Sequence, residues 1–363
     1  MKQNEFLKSI EYDAEQRLRA VLAIVPELEI ARVERGVLGE LRSEIDIVVY
    51  LSYRNEHHRL FCEVKSNGQP RIVRGAAYQL IHLARSDSLD TDDVIPVIVA
   101  PYLSPAARDV CRDMGICFLD FEGNCWLQFG TVFIDHRGPN KAKTERRELR
   151  SIFAPKSAQV MRCMIREPNR AWRLADLAQV SKVSIGHVSN VKRALIDQEW
   201  AEATPDGLRL IQPDALLDEW RDAYAPPHGR DLSFHTILHG SKLKAAISEA
   251  LRTANDHGAA MLASFSAADW LAPYARTPTE FFYADEAALR CLTEKLDLRP
   301  VEQGGNIKII VPDDHDLFLD KVVPAAGIAC TSPVQTFLDM SSQGSRGVEA
   351  ADHLRSLLLK WNP

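Results

Sequence analysis

Residues 44–65, "EIDIVVYLSYRNEHHRLFCEVK", constrain the fold more than any other stretch of the chain. "EIDIVVYLSY" (44–53) is β-branched and aromatic, which predicts a strand. "NEHH" (55–58) reads as a polar turn, and "RLFCEVK" (59–65) as a second strand. So short a connection makes the two antiparallel. Side chains on a strand alternate faces, so Glu63 and Lys65 point one way and Cys62 and Val64 the other. An isolated Glu-x-Lys is usually a surface ion pair of little energetic weight. The rest of the chain decides whether this one is more.

Upstream, "IEYDAEQRLRAVLAI" (10–24) places Ile10, Ala14, Leu18, Val21 and Leu22 at helical spacing. Downstream, "VRGAAYQLIHLARS" (73–86) predicts a helix and "VIPVIVA" (94–100) an apolar strand. "SPAARDVCRDMG" (104–115) predicts a helix with Ser104 as N-cap, Pro105 at the first position and Gly115 past the end. "ICFLDF" and "CWLQFGTVFID" read as two strands joined at Glu122-Gly123-Asn124. The predicted order, α-β-β-α-β-α-β-β, is a mixed sheet with flanking helices. Within a hairpin, Asp46, 17 positions before Glu63, can lie beside it at one end of the sheet. Two such carboxylates can share Mg²⁺ or Mn²⁺. A bound ion activates water and stabilises charge on a phosphate, while a lysine neutralises developing charge.

These residues resemble the PD-(D/E)XK nuclease-like superfamily, whose members include restriction enzymes and Holliday-junction resolvases. The resemblance rests on Asp46, Glu63 and Lys65 within that element order and covers about residues 10–135. It implies catalytic roles for Asp46, Glu63, Lys65 and Gln79, and Mg²⁺ or Mn²⁺ held by Asp46, Glu63 and Glu15. Glu15 stands where many members carry a further acid, and Gln79 where some carry a glutamine. The chain departs from the pattern in having Ile45, not proline, before Asp46. Such folds also serve as inactive DNA-binding scaffolds.

"RGPNKAKTERRELRSIFAPKS" (137–157) is charge-rich and carries Pro139 and Pro155, so a domain boundary falls there. Beyond it, "SAQVMRCMIRE", "RLADLAQVS" and "SIGHVSNVKRALIDQEW" (184–200) predict three helices, followed by a hairpin around Asp206-Gly207. That order is a winged helix-turn-helix. In the third helix Ile185, Val188, Val191, Leu195 and Ile196 form the expected buried stripe. Ser184, His187, Ser189, Asn190, Lys192 and Arg193 face outward, groups that reach phosphates and base edges. Arg170 and Arg173 precede the second helix, and Arg209 lies in the wing. The whole chain carries −6, yet residues 137–200 hold 14 Lys/Arg against 6 Asp/Glu, which leaves −14 for the remainder. A basic segment in an acidic chain marks a localised anionic partner and argues against indiscriminate coating of nucleic acid.

In the last third, "AAMLASFSAADWLAPYA" reads as helical, "TEFFYA" and "NIKIIVP" as strands, and "SPVQTFLDMSSQG" and "VEAADHLRSLLLKW" as helices. "SPVQTFLDM" followed by "GVEAADHLRSLL" resembles the C-terminal region of AbiEi-type antitoxins, the transcription-regulating halves of type IV toxin–antitoxin pairs. That resemblance covers about 150–363 and implies binding to the chain's own promoter and a nucleotidyltransferase-type toxin as partner. The nuclease-like domain in front departs from the usual antitoxin plan.

The expected organisation is a multidomain α/β chain. A restriction-endonuclease-like domain spans 1–140, a winged helix 150–220, and an antitoxin-like α/β domain 230–363. The expected partners are double-stranded DNA, that toxin, and a second copy of the chain. No apolar run approaches the ~20 residues of a membrane helix, so the expected location is the cytoplasm. Seven cysteines without a CxxC spacing predict free thiols. His235 and His239 have the spacing of a helical zinc site but lack the glutamate after the first histidine. Asp313-Asp314-His315-Asp316 reads as a solvated loop.

Overall fold

The computed structural model describes residues 2–38, 44–86, 93–138, 152–274 and 277–361. The stretch 139–151, where the sequence places a domain boundary, lies outside them. The chain divides into two compact units, 1–148 with 193–199, and 149–192 with 200–363.

The first unit opens with α1 (Lys2–Leu22). Ile10, Ala14, Leu18 and Leu22 recur every four residues and are all buried, which fixes the helix face turned to the sheet. Seven strands follow: β1 (Leu28–Leu38), β2 (Glu44–Tyr53), β3 (Glu56–Val64), β4 (Asp93–Ala100), β5 (Cys117–Asp120), β6 (Cys125–Phe129) and β7 (Val132–His136). They pair in chain order. β1, β2 and β3 are antiparallel, β3–β4 and β4–β5 parallel, and β5, β6 and β7 antiparallel. Each parallel step needs a crossover, supplied by α2 (Pro70–Ser86) and α3 (Pro105–Asp113). Ser104 caps α3 as its sequence predicts, its Oγ accepting from Ala107 N–H at 3.2 Å. One face of the sheet packs with α1 through Ile47, Val49, Leu60, Cys62 and Val64. The other packs with α2 through Val48, Phe61, Val73, Ala77 and Leu80. Strand alternation therefore puts Glu63 on the face of Phe61.

Three sequence readings are corrected in this unit. β1 is an additional edge strand that the sequence reading lacks. The turn between β2 and β3 is Arg54-Asn55, both at positive φ, and Tyr53 pairs with Glu56. Two consecutive left-handed residues match the twist of a two-residue hairpin, so 56–58 join the strand. "CWLQFGTVFID" is two strands, β6 and β7, reversed at Gly130 (φ +50°).

The second unit begins with α4 (Pro155–Arg166), α5 (Leu174–Ser181) and, partly assigned to each unit, α6 (Ile185–Asp197). The hairpin β8 (Ala201–Thr204) and β9 (Gly207–Leu210) comes next. Three helices followed by a hairpin are the element order that the sequence predicts. Trp172 and Leu208 exchange both backbone hydrogen bonds at 2.8 Å, adding a third extended segment to the hairpin. α7 (Pro213–Ala223) leads to a second seven-stranded sheet. In chain order its strands are β10 (Gly229–His235), β11 (Ala260–Leu262), β12 (Glu280–Ala284), β13 (Arg299–Pro300), β14 (Ile307–Pro312), β15 (Val322–Ala325) and β16 (Ile328–Cys330). Their spatial order is β13-β10-β14-β12-β11-β16-β15. Helices α8 (Gly240–His257), α9 (Ser264–Leu271), α10 (Glu286–Lys295), α11 (Pro333–Ser341) and α12 (Gly344–Leu358) accompany it. Ile247, Leu251, Ala288 and Leu292 of α8 and α10 share a core with Phe282, Ile307 and Ile309. "AAMLASFSAADWL" is not wholly helical: a three-residue strand precedes α9, and Ser264 turns the corner at φ +48°. α4, α5, the first part of α6, the hairpin and the second sheet share this unit. Its core holds the stack of Phe153 with Trp200 and Trp220.

No helix among the described residues is long and apolar enough to cross a membrane. All seven cysteines are free, six of them buried.

Candidate functional site

The register Ile47↔Cys62 places Asp46 opposite Glu63 at the next step of the β2–β3 pair. The ladder changes there: Val64 N–H donates to Asp46 Oδ2 at 2.6 Å, so a side chain replaces a backbone acceptor. The β3–β4 pairing continues one step further, with Lys65 N–H donating to Val99 O at 2.8 Å. This holds Lys65 in strand alternation with Glu63, and its Nζ donates to Glu63 Oε1 at 2.5 Å. Glu63 is largely buried, and burial is the main cause that raises its carboxyl above the usual range. The Lys65 hydrogen bond opposes that rise, and the Asp46 charge adds to it. Two facing carboxylates and one ammonium thus gather at the end of β2 and β3.

Glu15 does not join them. Its carboxylate accepts from Arg19 Nε at 2.8 Å and from Arg35 Nε at 2.8 Å, and these arginines hold it below the usual carboxylate range against the opposing effect of burial. It belongs to the helix that packs on the α1 face, whereas Glu63 shares the face of Phe61. Gln79 is exposed on α2. Among the described residues no three His, Cys, Asp or Glu side chains cluster as a metal site.

On α6, Val188, Val191 and Leu195 are buried as the spacing predicts. Ile185 is not: it opens the helix and is 56% exposed. Ser184, Ser189, Asn190 and Arg193 are exposed, while Lys192 and His187 are half-buried. The His187 Nε2 lies 3.0 Å from Ser157 Oγ of α4, so that ring is held by the fold. Arg173 is exposed immediately before α5. Arg170 stacks 3.7 Å over the Trp172 ring and pairs with Glu167 at 3.0 Å. Arg209 pairs with Glu202 across the hairpin at 2.5 Å. The face therefore offers hydroxyls, an amide, an apolar tip and cations, some already tied to neighbours.

A third cluster escaped the sequence reading. Asp339 of α11, 5% exposed, accepts at Oδ1 from Tyr224 at 2.5 Å, Gln335 Nε2 at 2.8 Å and Tyr283 at 2.9 Å. Gln335 Oε1 accepts in turn from Arg162 at 2.5 Å. Burial pushes the Asp339 carboxyl up to about 6. Its sequence signal was two polar residues four apart, Gln335 and Asp339, on a helix whose other side chains are also buried. His235 ends β10 and His239 caps α8, so no single helix presents both. Asp314 Oδ1 accepts from Asp316 N–H at 3.1 Å and caps a 3₁₀ turn.

The arrangement defines a chain with a mixed-sheet unit bearing a carboxylate pair, and a second unit that joins a helix-turn-helix order to an α/β sheet. Residues 209–359 match the model of a family described as "Transcriptional regulator, AbiEi antitoxin, Type IV TA system". The matched region begins in β9, so the three helices at 155–197 precede it. Among solved structures, a repair endonuclease from Pyrococcus abyssi is similar over 30% of this chain and 46% of its own, at 15% identity and a TM-score of 0.22. EndoMS in its apo form is similar over 30% of this chain and 45% of its own, at 16% identity and a TM-score of 0.21. The chain spans less than half the length of either. No curated protein matches it.

Proposed function

We propose that the chain is a DNA-binding transcriptional regulator of the AbiEi antitoxin type, working in the cytoplasm and carrying a nuclease-like domain. The observation that carries this reading is the family match at 209–359, joined directly to three helices and a hairpin. Ser184, Asn190, Lys192 and Arg193 of α6, with Arg173, would meet phosphates and base edges. His187, Arg170 and Arg209 would orient this surface through the partners they already hold. The type IV family implies a toxin of the nucleotidyltransferase class as partner. Gel-shift titration with duplex from upstream of the chain's own gene, against an unrelated duplex of equal length, tests the reading. Binding at least tenfold tighter to the upstream duplex supports it; equal binding or none overturns it.

A second reading, a metal-dependent DNA endonuclease, is favoured by Asp46 facing Glu63 beside Lys65. The residues fit a divalent cation: Glu63 is raised by burial and by the Asp46 charge, and a cation relieves both. Asp46 and Glu63 would hold Mg²⁺ or Mn²⁺, which supplies a more acidic bound water and a counter-charge for phosphate. Lys65 would neutralise charge developing on that phosphate. Glu15 could serve only by giving up Arg19 and Arg35, and Gln79 only through bound nucleic acid. Incubating linear duplex with protein and Mn²⁺ tests this reading: cleavage lost in Lys65→Ala supports it, and intact DNA removes it.

A further inference from the structure

In the second unit, a cavity of about 390 Å³ opens beside the end of α4, the start of α11 and the last described residues of the chain. Small-molecule sites typically enclose ~300–1,000 Å³. The wall carries three cations, Arg162, Arg166 and Lys360, one carboxylate, Asp320, and the indole of Trp361. Arg166 and Arg162 both stand within ion-pair distance of Asp320, so the three cations and one carboxylate leave the wall with a net charge of +2. Arg162 is 8% exposed, yet its Nε makes no hydrogen bond, and Asp320 stands 4.0 Å from it. Its Nη2 is held by Gln335 Oε1 at 2.5 Å, which aims the guanidinium without neutralising it. A guanidinium offers five N–H donors, and leaving one buried without an acceptor is costly. Burial accordingly pulls the Arg162 pKa down from its ordinary value. Ser332 and Pro333, which open α11, lie in the same wall, so the positive end of that helix dipole adds to the field.

We propose that this cavity binds a small phosphate-bearing molecule, its phosphate seated among Arg162, Arg166 and Lys360. Arginine presents paired donors that match phosphate oxygens, and lysine adds a compact charge. Trp361 supplies a flat apolar wall for whatever the phosphate is attached to. The inference goes beyond the regulator reading and does not depend on it. α4 also carries Ser157, which holds His187 of α6. The helix that would bind the phosphate therefore also touches the helix proposed to meet DNA.

The full chain is titrated with inorganic phosphate and with adenosine 5′-monophosphate, by calorimetry and by tryptophan fluorescence at constant ionic strength. Both anions bind in the expected result, and the nucleotide also changes a fluorescence signal that Trp361→Phe removes. Arg166 and Lys360 are exposed, so Arg166→Ala/Lys360→Ala should keep the fold, which its melting temperature checks. In that variant, affinity for both anions falls at least tenfold, about 1.4 kcal/mol. Lys360→Ala alone, which leaves the Arg166–Asp320 pair in place, is the second variant and should also weaken binding of both anions. Absence of heat and of fluorescence change with both anions overturns the proposal, as does equal affinity in wild type and variant. Loss of duplex-DNA affinity in the variant, with no binding of either small anion, also overturns it and assigns the cations to a nucleic-acid surface.

Discussion

Replacing Asp339 with asparagine should flatten one segment of the pH–stability curve of the second unit. Burial raises this carboxyl from 3.8 to about 6 in the folded chain. The folded state then holds a proton that the unfolded state has released, across the interval between those values. Stability is therefore greatest below the lower value and is lost as pH rises through the upper one. At ~1.36 kcal/mol per unit, the two-unit rise amounts to about 3 kcal/mol. Asparagine keeps an oxygen for the Tyr224 and Tyr283 hydroxyls but does not titrate. It also removes a negative charge that favours the Arg162 guanidinium, so absolute stability shifts for a second reason and the slope is the proper readout. Urea unfolding followed by tryptophan fluorescence reports mainly this unit, because Trp172, Trp200, Trp220, Trp270 and Trp361 belong to it and only Trp126 to the other. Wild type should lose about 3 kcal/mol more than Asp339→Asn between about pH 3 and about pH 7. Parallel curves for the two proteins would refute a raised Asp339 carboxyl.

Asp46→Asn and Glu63→Gln each remove a charge at nearly constant shape, so the fold should survive while any rise in melting temperature with Mg²⁺ or Mn²⁺ disappears. Lys65→Ala should keep that metal response, and a scanning fluorimetry series on the three variants separates metal ligands from an ordinary ion pair. Gly68→Ala should destabilise the first unit by roughly 1–3 kcal/mol, because a Cβ there would stand 2.0 Å from the Tyr102 carbonyl oxygen. An unchanged urea midpoint would contradict that close approach. Leu18→Ala, at the fully buried centre of the α1 face, should cost about 2–5 kcal/mol. For both first-unit variants urea unfolding is followed by far-UV circular dichroism rather than by tryptophan fluorescence.

The elements that were legible in the sequence are those whose period or caps are undisturbed. Ser104, Pro105 and Gly115 bracket α3, and Val188, Val191 and Leu195 mark the buried side of α6. β1 was hidden because Arg32, Glu34 and Arg35 interrupt its apolar residues and a register shift between Ile30 and Arg32 breaks the period of two. That missing strand also hid the fate of Glu15, whose partner Arg35 lies 20 residues away on it. β11 was absorbed into α9 because three residues are too few to show alternation. Ile185 has the spacing of a core residue, but as the first residue of its helix it lies beyond the packed stripe. The pairing of Asp46, Glu63 and Lys65 was legible because one short hairpin sets it. The Asp339 cluster was not, because Arg162, Tyr224, Tyr283 and Gln335 reach it from four separate elements or their ends.

The central claim is that α6 faces duplex DNA, and the salt dependence of duplex affinity tests it most directly. Fluorescence anisotropy on the upstream duplex, titrated with KCl, should give a steep linear fall of log K with log salt for the wild type. Lys192→Ala/Arg193→Ala should bind more weakly, with a slope shallower by up to about 2, since each phosphate that a cation no longer neutralises removes about 0.9. Identical affinity and identical slope in the two proteins would contradict the claim.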